Sequence, residues 1–206
     1  MTTLLLATRN AHKLAELDRI LAAEGVRGLR VIGLADVPEF PEAPETGATF
    51  EENALAKARD AVAATGLPAV ADDSGIAVDA LNGMPGVLSA RWAGTARDDK
   101  ANLRLLLEQL ADVPDERRGG AFVCAAALAT PSGGETVVRG EWPGTIAREP
   151  RGVNGFGYDP IFVPDGRDVT SAELAPEEKD ELSHRGRALR LLLPALRALA
   201  GPLVPE

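Results

Sequence analysis

Short apolar runs alternate along this chain with segments in which leucine recurs at helical spacing. Strands are predicted over Leu4 to Ala7 and over Arg30 to Leu34, where the apolar runs are short. Between them, leucines recur at i, i+3 and i+7, which predicts a helix that begins near Ala11 and is capped by Asn10. The order strand, helix, strand is typical of an α/β fold.

The same kind of pattern continues to the C-terminus. Thr49 and Glu52 form a capping box that predicts a second helix, which runs to about Ala64 and is closed by Gly66. Downstream, the pattern predicts strands over 68–71 and 76–81, a helix over 98–110, a hairpin of 121–130 with 135–142, a further strand over 144–150, and helices from 171 and 183. Pro194 is expected to kink or divide the last helix. The prediction is an α/β fold with a mixed sheet.

Length, composition and charge limit the function classes. The 206 residues are 45% hydrophobic and 26% charged, which is ordinary for a globular protein and predicts a single domain over residues 1–206. The formal net charge is −9. A nucleic-acid polymer is therefore not an expected partner, because such binding needs a basic surface that releases counterions. A small anion in a local basic pocket is compatible with this charge.

No segment of the sequence indicates export or a membrane partner. The longest apolar run, Ala121 to Ala129, is far shorter than the ~20 residues that span a bilayer. The N-terminal segment lacks the basic region of a secretory signal. The one cysteine, Cys124, lies in the apolar run and is expected to be a core thiol in a reducing compartment. A cytoplasmic location is predicted.

Two predicted helices carry cations where a helix is itself positive. Arg9, His12 and Lys13 surround the start of the first helix, and His184 and Arg185 stand in the first turn of the last helix. The unpaired amides of a helix N-terminus favour anions. These side chains therefore either bend away into solvent or share an anionic ligand with the amides. A polyanion such as a phosphate chain would remove the conflict at both places.

The stretch ADDSG places Asp72 and Asp73 side by side at the end of a predicted buried strand. No Lys or Arg stands within ten residues on either side. Adjacent carboxylates repel unless a cation compensates them, which favours a divalent metal. The alternative is that the two point apart, one capping a turn and the other solvated. Two histidines and one cysteine make zinc an improbable ion, so a hard ion such as magnesium or manganese is favoured.

Two further charged residues are candidates for the same chemistry. Lys57 lies on the second helix opposite an alanine-rich face, so it projects from the polar side; the alternative is an ordinary surface lysine. Glu45 could supply a third carboxylate. The sequence alone does not distinguish it from Glu42, Glu51 or Glu52.

A glycine-spaced loop, Arg151 to Asp159, contains Phe156 and Tyr158. Aromatic rings on such a loop either stack on a flat ligand or pin the loop to the core. Familiar motifs are absent, since the sequence has no GxxxxGK[ST], no strand-linked GxGxxG and no GxSxG. A P-loop kinase, a classical dinucleotide enzyme and an α/β-hydrolase are therefore disfavoured.

Five segments, in this order and spacing, closely resemble the non-canonical purine nucleoside triphosphate pyrophosphatases, the inosine/xanthosine triphosphatase family. They are ATRNAHK, ETGATFEENALAKA, ADDSGIAVDALNGMPGVLSARWAG, REPRGVNGFGYDPIF and EEKDELSHRGRAL. The resemblance runs from about Leu4 to Leu193, with Trp92 where tyrosine is expected. It implies an elongated two-lobed α/β structure around a long mixed β-sheet with flanking helices, the active site in the interlobe cleft, and usually a homodimer. The implied reaction converts ITP, dITP or XTP to the monophosphate and pyrophosphate, using magnesium.

The same resemblance implies roles for the matching residues. Asp73 would orient or deprotonate the attacking water, assisted by Lys57 and Asp72, and Glu45 and Asp73 would hold the magnesium ion. The phosphates would be bound by Thr8, Arg9, Asn10, Ala11, His12 and Lys13, and Ser74 would also touch the substrate. The base and sugar would be contacted by Phe156, Gly157, Tyr158, Asp159 and Lys179. The base itself would be recognised by His184 and Arg185.

Two function classes other than a pyrophosphatase are left open. A nucleotide-binding sensor would keep the pocket without turnover, and a general magnesium-dependent phosphatase would release orthophosphate. Donors from His184 or Arg185 would favour the O6 acceptor of hypoxanthine and xanthine over the amino group of adenine. Guanine also carries O6, and the sequence gives no reason for its rejection.

Overall fold

The computed structural model describes residues 1–41 and 44–201. The strands are β1 (Thr2–Leu6), β2 (Leu29–Gly33), β3 (Ala69–Val78), β4 (Gly119–Ala129), β5 (Glu135–Ile146) and β6 (Phe162–Pro164). The α-helices are α1 (Ala11–Ala23), α2 (Phe50–Thr65), α3 (Asp99–Gln109), α4 (Pro176–Leu182) and α5 (His184–Ala200). None of the helices within these described ranges is long and apolar enough to cross a membrane.

The strands form one sheet in the order β2-β1-β3-β4-β5-β6. β1 runs parallel to β2, with Thr2 opposite Leu29, and also parallel to β3, with Leu5 opposite Ala69. β5 and β6 are antiparallel. Parallel pairs at one end and an antiparallel pair at the other make the sheet mixed, and helices flank it, which confirms the predicted α/β class.

The chain divides into two compact units. The first comprises Met1–Asp73, Ala125–Gly140 and Arg185–Glu206, and the second comprises Ser74–Cys124 and Glu141–His184. The first unit contains α1, α2 and α5. The second contains α3 and α4, and its core is a cluster of large buried side chains: Ile76, Val78, Leu106, Leu110, Phe122, Trp142, Ile146, Tyr158, Ile161, Phe162 and Leu174. Cys124 is buried in β4, as expected for a core thiol.

Local signals in the sequence predict α2 well. The Thr49 hydroxyl accepts from the Glu52 N–H at 3.2 Å, and the Glu52 carboxylate accepts from the Ala48 N–H at 2.6 Å, one residue before the expected partner. At the other end Gly66 has φ 68° and donates to the Val62 carbonyl, a left-handed C-cap that suits glycine. The alanine face of α2 is buried. The prediction that Lys57 lies opposite it is wrong, because Lys57 follows Ala54 by three residues and precedes Ala61 by four and so borders the buried face, from which its side chain reaches Asp73.

Three predicted element boundaries are wrong. Residues 68–71 and 76–81 do not form two strands, because β3 runs unbroken through ADDSG and ends in a short 3-10 turn. Gly75 is extended there, with no room for a Cβ beside the Ser89 hydroxyl, which accepts from the Ile76 N–H at 2.9 Å. Residues 144–146 belong to β5. Pro194 does not divide the last helix, since α5 runs through it from His184 to Ala200, and the alternative of a kink stays a prediction. The helix expected from Ser171 begins at Pro176, because the Ser171 hydroxyl instead donates to Asp159.

Candidate active site

Asp72 and Asp73 lie in the middle of β3, and each is only 7% exposed. Successive side chains of a strand point to opposite faces, so the two carboxylates reach different partners. The sequence predicts that a cation compensates the two carboxylates, and side chains from distant parts of the chain supply such cations in the structure. The divalent metal stays a prediction. The alternative is right that the two side chains point apart, but neither carboxylate lies in solvent, and β3 makes no turn at this point for one of them to cap.

Asp72 pairs with the cations at two helix starts. Lys13 Nζ lies 3.0 and 2.8 Å from its two carboxylate oxygens, and Nε and Nη2 of Arg185 each lie 3.3 Å from Oδ2. Arg185 Nη1 also lies 3.6 Å from Glu16 Oε2. Burial raises the pKa of Asp72, but the charges of Lys13 and Arg185 outweigh it and hold that pKa well below its usual range. Asp72 is therefore an ionised anchor between α1, β3 and α5.

Asp73 shares one cation with Glu45. Lys57 Nζ lies 2.8 Å from Asp73 Oδ1 and 2.6 Å from Glu45 Oε1, while Asn53 Nδ2 donates to Asp73 Oδ2 at 3.1 Å. Burial raises the pKa of Asp73, and the neighbouring Lys57 only partly offsets it. For Lys57, burial lowers the pKa but Asp73 and Glu45 outweigh it, so the net pKa is raised. Lys57 is thus held as a cation between two carboxylates.

The carboxylates of Glu45 and Asp73 are suited to bind a hard divalent cation. Glu45 and Asp73 offer only oxygen ligands, as magnesium and manganese prefer, and both converge on one positive charge. Their neighbours are otherwise engaged, since Glu51 pairs with Arg139 at 3.1 Å and Glu52 caps α2. In the parts of the chain that the structure describes, no group of three or more His, Cys, Asp or Glu side chains forms a ready metal site. Glu42, the remaining alternative, lies outside the described residues.

The segment before α1 opens onto a cavity. The Thr8 hydroxyl accepts from the Asn10 N–H at 3.1 Å, and exposed Arg9 lies 3.4 Å from Glu39. A cavity of about 480 Å³ is lined by Thr8, Arg9, Leu14 and residues 33–40. This volume falls within the range of small-molecule sites. The side chains of Ala11 and His12, which were also expected to bind phosphate, lie outside the described part of the chain.

The glycine-spaced loop of the second unit uses its two aromatic residues differently. Phe156 is 51% exposed, and Lys179 Nζ lies 5.5 Å from its ring centroid. Tyr158 is buried in the core cluster, and its hydroxyl donates to the Ser89 carbonyl at 2.8 Å. The stacking interpretation therefore suits Phe156, whereas the alternative of a plug describes the Tyr158 side chain.

Asp159 is the internal anchor of the same loop. Its carboxylate is 4% exposed and accepts from the Phe156 N–H at 2.8 Å, the Ser171 hydroxyl at 2.8 Å and Lys179 Nζ at 2.5 Å. A carboxylate with three such donors orders the loop and orients Lys179. Any contact of Asp159 with a substrate would compete with these bonds.

The remaining predicted residues flank these groups. His184 is buried and stacks on Phe122, with ring centroids 4.9 Å apart and planes 13° from parallel. Ser74 follows Asp73 in β3 and is partly buried. Gly157 follows Phe156 in the loop and has φ 61°.

Sequence reasoning missed Asn53 and Glu16, which hold site residues in place. Asn53 precedes Lys57 by four residues on α2, and Glu16 follows Lys13 by three residues on α1. Side chains at these spacings share one face of a helix, so the positions of the two lysines could have indicated both. Ser171, the partner of Asp159, carries no such local signal.

Comparisons with known proteins identify the family. The Ham1 family model matches residues 4–195. A dITP/XTP pyrophosphatase of Nocardia farcinica is 72% identical over 200 residues, covering 97% of each chain, and one of Mycobacterium bovis is 68% identical, covering 97% of this chain and 98% of that one. The crystal structure of a dITP/XTP pyrophosphatase from Mycobacterium abscessus has 65% identity and a TM-score of 0.79, covering 95% of this chain and all of that one. The structure of a HAM1 protein from Coxiella burnetii has 44% identity to this chain and a TM-score of 0.86, and the match covers 96% of this chain and all of that one. This chain belongs to the Ham1 family.

Proposed function

We propose that this protein hydrolyses non-canonical purine nucleoside triphosphates, namely dITP, ITP and XTP, to the monophosphate and pyrophosphate. The observation that carries the proposal is the pair of ion clusters on β3, in which Lys13 and Arg185 meet Asp72 while Lys57 meets Asp73 and Glu45. The relatives that are 72% and 68% identical, both dITP/XTP pyrophosphatases, support it independently. Removal of such nucleotides would cleanse the pool used for nucleic-acid synthesis.

The phosphate chain is assigned to the first unit. Lys13 and Lys57 would neutralise phosphate oxygens as point charges, and the backbone amides at the start of α1 would donate to them. Thr8, Arg9 and Asn10 border the same helix start, and Ala11 and His12 form its first turn. Asp72 and Asp73 hold the two ammonium groups in place before the substrate binds. Binding would require the lysines to exchange part of these contacts for phosphate oxygens.

Water would attack the α-phosphorus. A bond forms between the water oxygen and the α-phosphorus, the bond from that phosphorus to the bridging oxygen breaks, and pyrophosphate leaves with the electron pair, while the water gives up one proton to Asp73 or to solvent. Asp73 would orient the water by accepting its hydrogen bond, with Asn53 and Lys57 fixing the carboxylate and Asp72 anchoring the adjacent strand position. Positive side chains near the leaving oxygens would stabilise the charge that develops there.

We propose magnesium as the metal, held by Glu45 and Asp73. When bound, magnesium neutralises charge on the phosphate oxygens and on the leaving pyrophosphate. Lys57, which contacts both carboxylates, would prevent their mutual repulsion when the metal is absent.

The nucleoside is assigned to the aromatic loop and the start of α5. Phe156 would stack on the purine, and Gly157, Tyr158 and Asp159 would shape the loop around base and sugar together with Lys179. Ser74 would contact the substrate beside Asp73. Donors from His184 or Arg185 would pair with O6, and leaving such a buried donor unpaired against adenine costs about 1–3 kcal/mol. Two such donors would give a preference of about a hundredfold or more.

The assay that tests this function is pyrophosphate release from ITP, XTP, dITP, GTP and ATP, with magnesium and with EDTA. Metal-dependent pyrophosphate from the first three substrates, with ATP poor, supports the proposal. Orthophosphate as the product would indicate a general phosphatase instead. Tight nucleotide binding without any product would indicate a sensor.

The proposal extends to assembly and location. We propose a cytoplasmic homodimer that binds small nucleotides and no nucleic-acid polymer or membrane. Light scattering after gel filtration tests the dimer, because a monomeric mass at micromolar concentration would contradict it.

A further inference from the structure

The exposed ring of Phe156 is carried by a loop that has several backbone anchors. Because the ring is 51% exposed, its direction depends on the backbone more than on packing. The Phe156 N–H donates to Asp159, and the Tyr158 hydroxyl donates to the Ser89 carbonyl. A third anchor, like that at Ser89, comes from outside the loop: the Gly157 N–H donates to Asp99 Oδ2 at 3.1 Å.

The bond to Asp99 acts on the peptide plane that follows Phe156. The carbonyl of this plane accepts from the Asp159 N–H at 3.3 Å, and its N–H is the one that Asp99 holds. With both edges bonded, the plane cannot rotate without breaking a hydrogen bond, and such a rotation would change ψ of Phe156 and φ of Gly157 together. Gly157 itself has φ 61°, a conformation that glycine adopts without strain. Asp99 therefore holds the orientation of the peptide that presents the ring.

The neighbouring aspartate makes a different set of contacts. Asp98 is the N-cap of α3 and accepts from the N–H groups of Lys100 and Ala101 at 2.9 and 3.1 Å. Asp99 is exposed in the first turn of the same helix, and its contact with Gly157 spans 58 positions of sequence. Asp98 thus stabilises the start of α3, whereas Asp99 holds the loop.

We propose that Asp99 is a positioning residue for the nucleoside: it holds the Phe156–Gly157 peptide so that the exposed ring is preorganised to stack on the purine. The inference rests on the proposed function, in which Phe156 contacts the base. Asp99 touches no substrate and acts only through the Gly157 N–H. Its removal should weaken binding of the nucleoside part of the substrate and leave binding of the phosphates unchanged.

Three variants of the full chain test this role: Asp99→Ala, Asp99→Asn and Asp98→Ala. The measurements are amide hydrogen exchange over residues 155–158 without substrate, KM and kcat for ITP with magnesium, and the inhibition constant of inorganic triphosphate. For Asp99→Ala we expect exchange to accelerate and KM to rise, each by about fivefold, the factor typical of one hydrogen bond. The values of kcat and of the triphosphate inhibition constant should change less than about twofold.

The two other variants separate positioning from general stability. Asp99→Asn keeps an acceptor oxygen and should restore most of the wild-type exchange rate and KM. Asp98→Ala should lower the melting temperature but leave exchange in the loop and KM for ITP unchanged. Unchanged exchange in Asp99→Ala, or accelerated exchange with an unchanged KM, would overturn the inference. Failure of the proposed function would show differently, because the wild-type protein would then release no pyrophosphate from ITP.

Discussion

Lys57 donates to Asp73 across 2.8 Å and so joins the middle of α2 to the middle of β3. The contact matters because burial alone raises the pKa of Asp73 and disfavours its charged form. The Glu45 carboxylate contacts the same Lys57 ammonium and adds a second negative charge. Lys57 therefore supplies one positive charge against two carboxylates. Binding of the proposed metal ion would add positive charge to this cluster.

Replacement of Asp73 by Asn should stop turnover and largely spare nucleotide binding. The amide keeps the shape of the side chain but cannot orient water or hold a cation as a carboxylate does, while Lys13 and Lys57 remain. We expect kcat for ITP to fall at least about a hundredfold. Pyrophosphate release gives kcat, and titration calorimetry gives the dissociation constant. Asp18→Asn, an exposed position on α1, is the control, and near-wild-type activity in Asp73→Asn would defeat the assignment.

Replacement of Asp72 by Asn should destabilise the protein because it leaves Lys13 and Arg185 without their shared carboxylate. Removal of one partner from a buried ion pair costs about 3–5 kcal/mol. We expect a loss near the lower figure, since Arg185 also contacts Glu16. Urea unfolding at neutral pH measures it. The double variant Asp72→Asn with Lys13→Met should recover part of the loss, and strict additivity would mean that the pair is not coupled.

Local chemistry explains which elements the sequence predicts. The caps at Thr49 and Gly66 lie within a few residues of the helix that they bound, so the pattern alone places α2 correctly. The break expected between residues 71 and 76 is absent because Ser89 binds the strand there and keeps β3 extended. That interaction joins residues 13 apart, beyond the reach of a local pattern.

The pairings in the candidate site join residues that are even further apart in sequence. The resemblance supplies the identities of the candidate residues, but not which of them pair. Lys13 and Asp72 are 59 positions apart, and Asp72 and Arg185 are 113 apart. Only the fold brings these charges together, since no Lys or Arg stands within ten residues of Asp72 in the sequence. In the fold, Lys13 and Arg185, the cations at two helix starts, pair with Asp72.

Replacement of His184 by Ala should narrow the preference for ITP over ATP. In the proposed function its ring donates to O6 of the purine, and loss of one such donor changes discrimination by about 1–3 kcal/mol, or roughly 5- to 150-fold. The ratio of kcat/KM for the two substrates measures it. Arg187→Ala, an exposed position on the same helix, is the control. An unchanged ratio in His184→Ala would mean that other residues recognise the base.

Tyr158 should make stability fall at alkaline pH. Burial of its hydroxyl, together with the nearby charge of Asp99, raises its pKa above the ordinary value of 10.0. The folded state therefore keeps the phenolic proton at pH values where the unfolded state has lost it. Stability from this group is complete below pH 10 and declines above it by up to about 1.4 kcal/mol per pH unit.

The chain contains one tyrosine, so the titration can be observed directly. Ultraviolet absorbance of the tyrosinate should rise in the folded protein only well above pH 10, and at about pH 10 after unfolding in urea. Tyr158→Phe should show a smaller alkaline decline in unfolding free energy than the wild type, because the contribution of the phenol is lost while that of Lys57, whose pKa is also raised, remains. A folded-state titration at the ordinary value would contradict the burial of this hydroxyl.

Arg118 should stabilise the second unit through backbone carbonyls alone. It is 3% exposed, and its guanidinium donates to the carbonyls of Ile146 at 2.8 Å, Leu110 at 2.6 Å and Ala147 at 3.0 Å. Arg118→Met leaves these acceptors unpaired and should cost about 3 kcal/mol, the upper range for hydrogen bonds to a charged group. Arg118→Lys should recover only part, because an ammonium lacks the planar fork that reaches three carbonyls. Urea unfolding measures both against Arg117→Met, the exposed neighbour, and equal losses at the two positions would show that burial of the guanidinium contributes nothing.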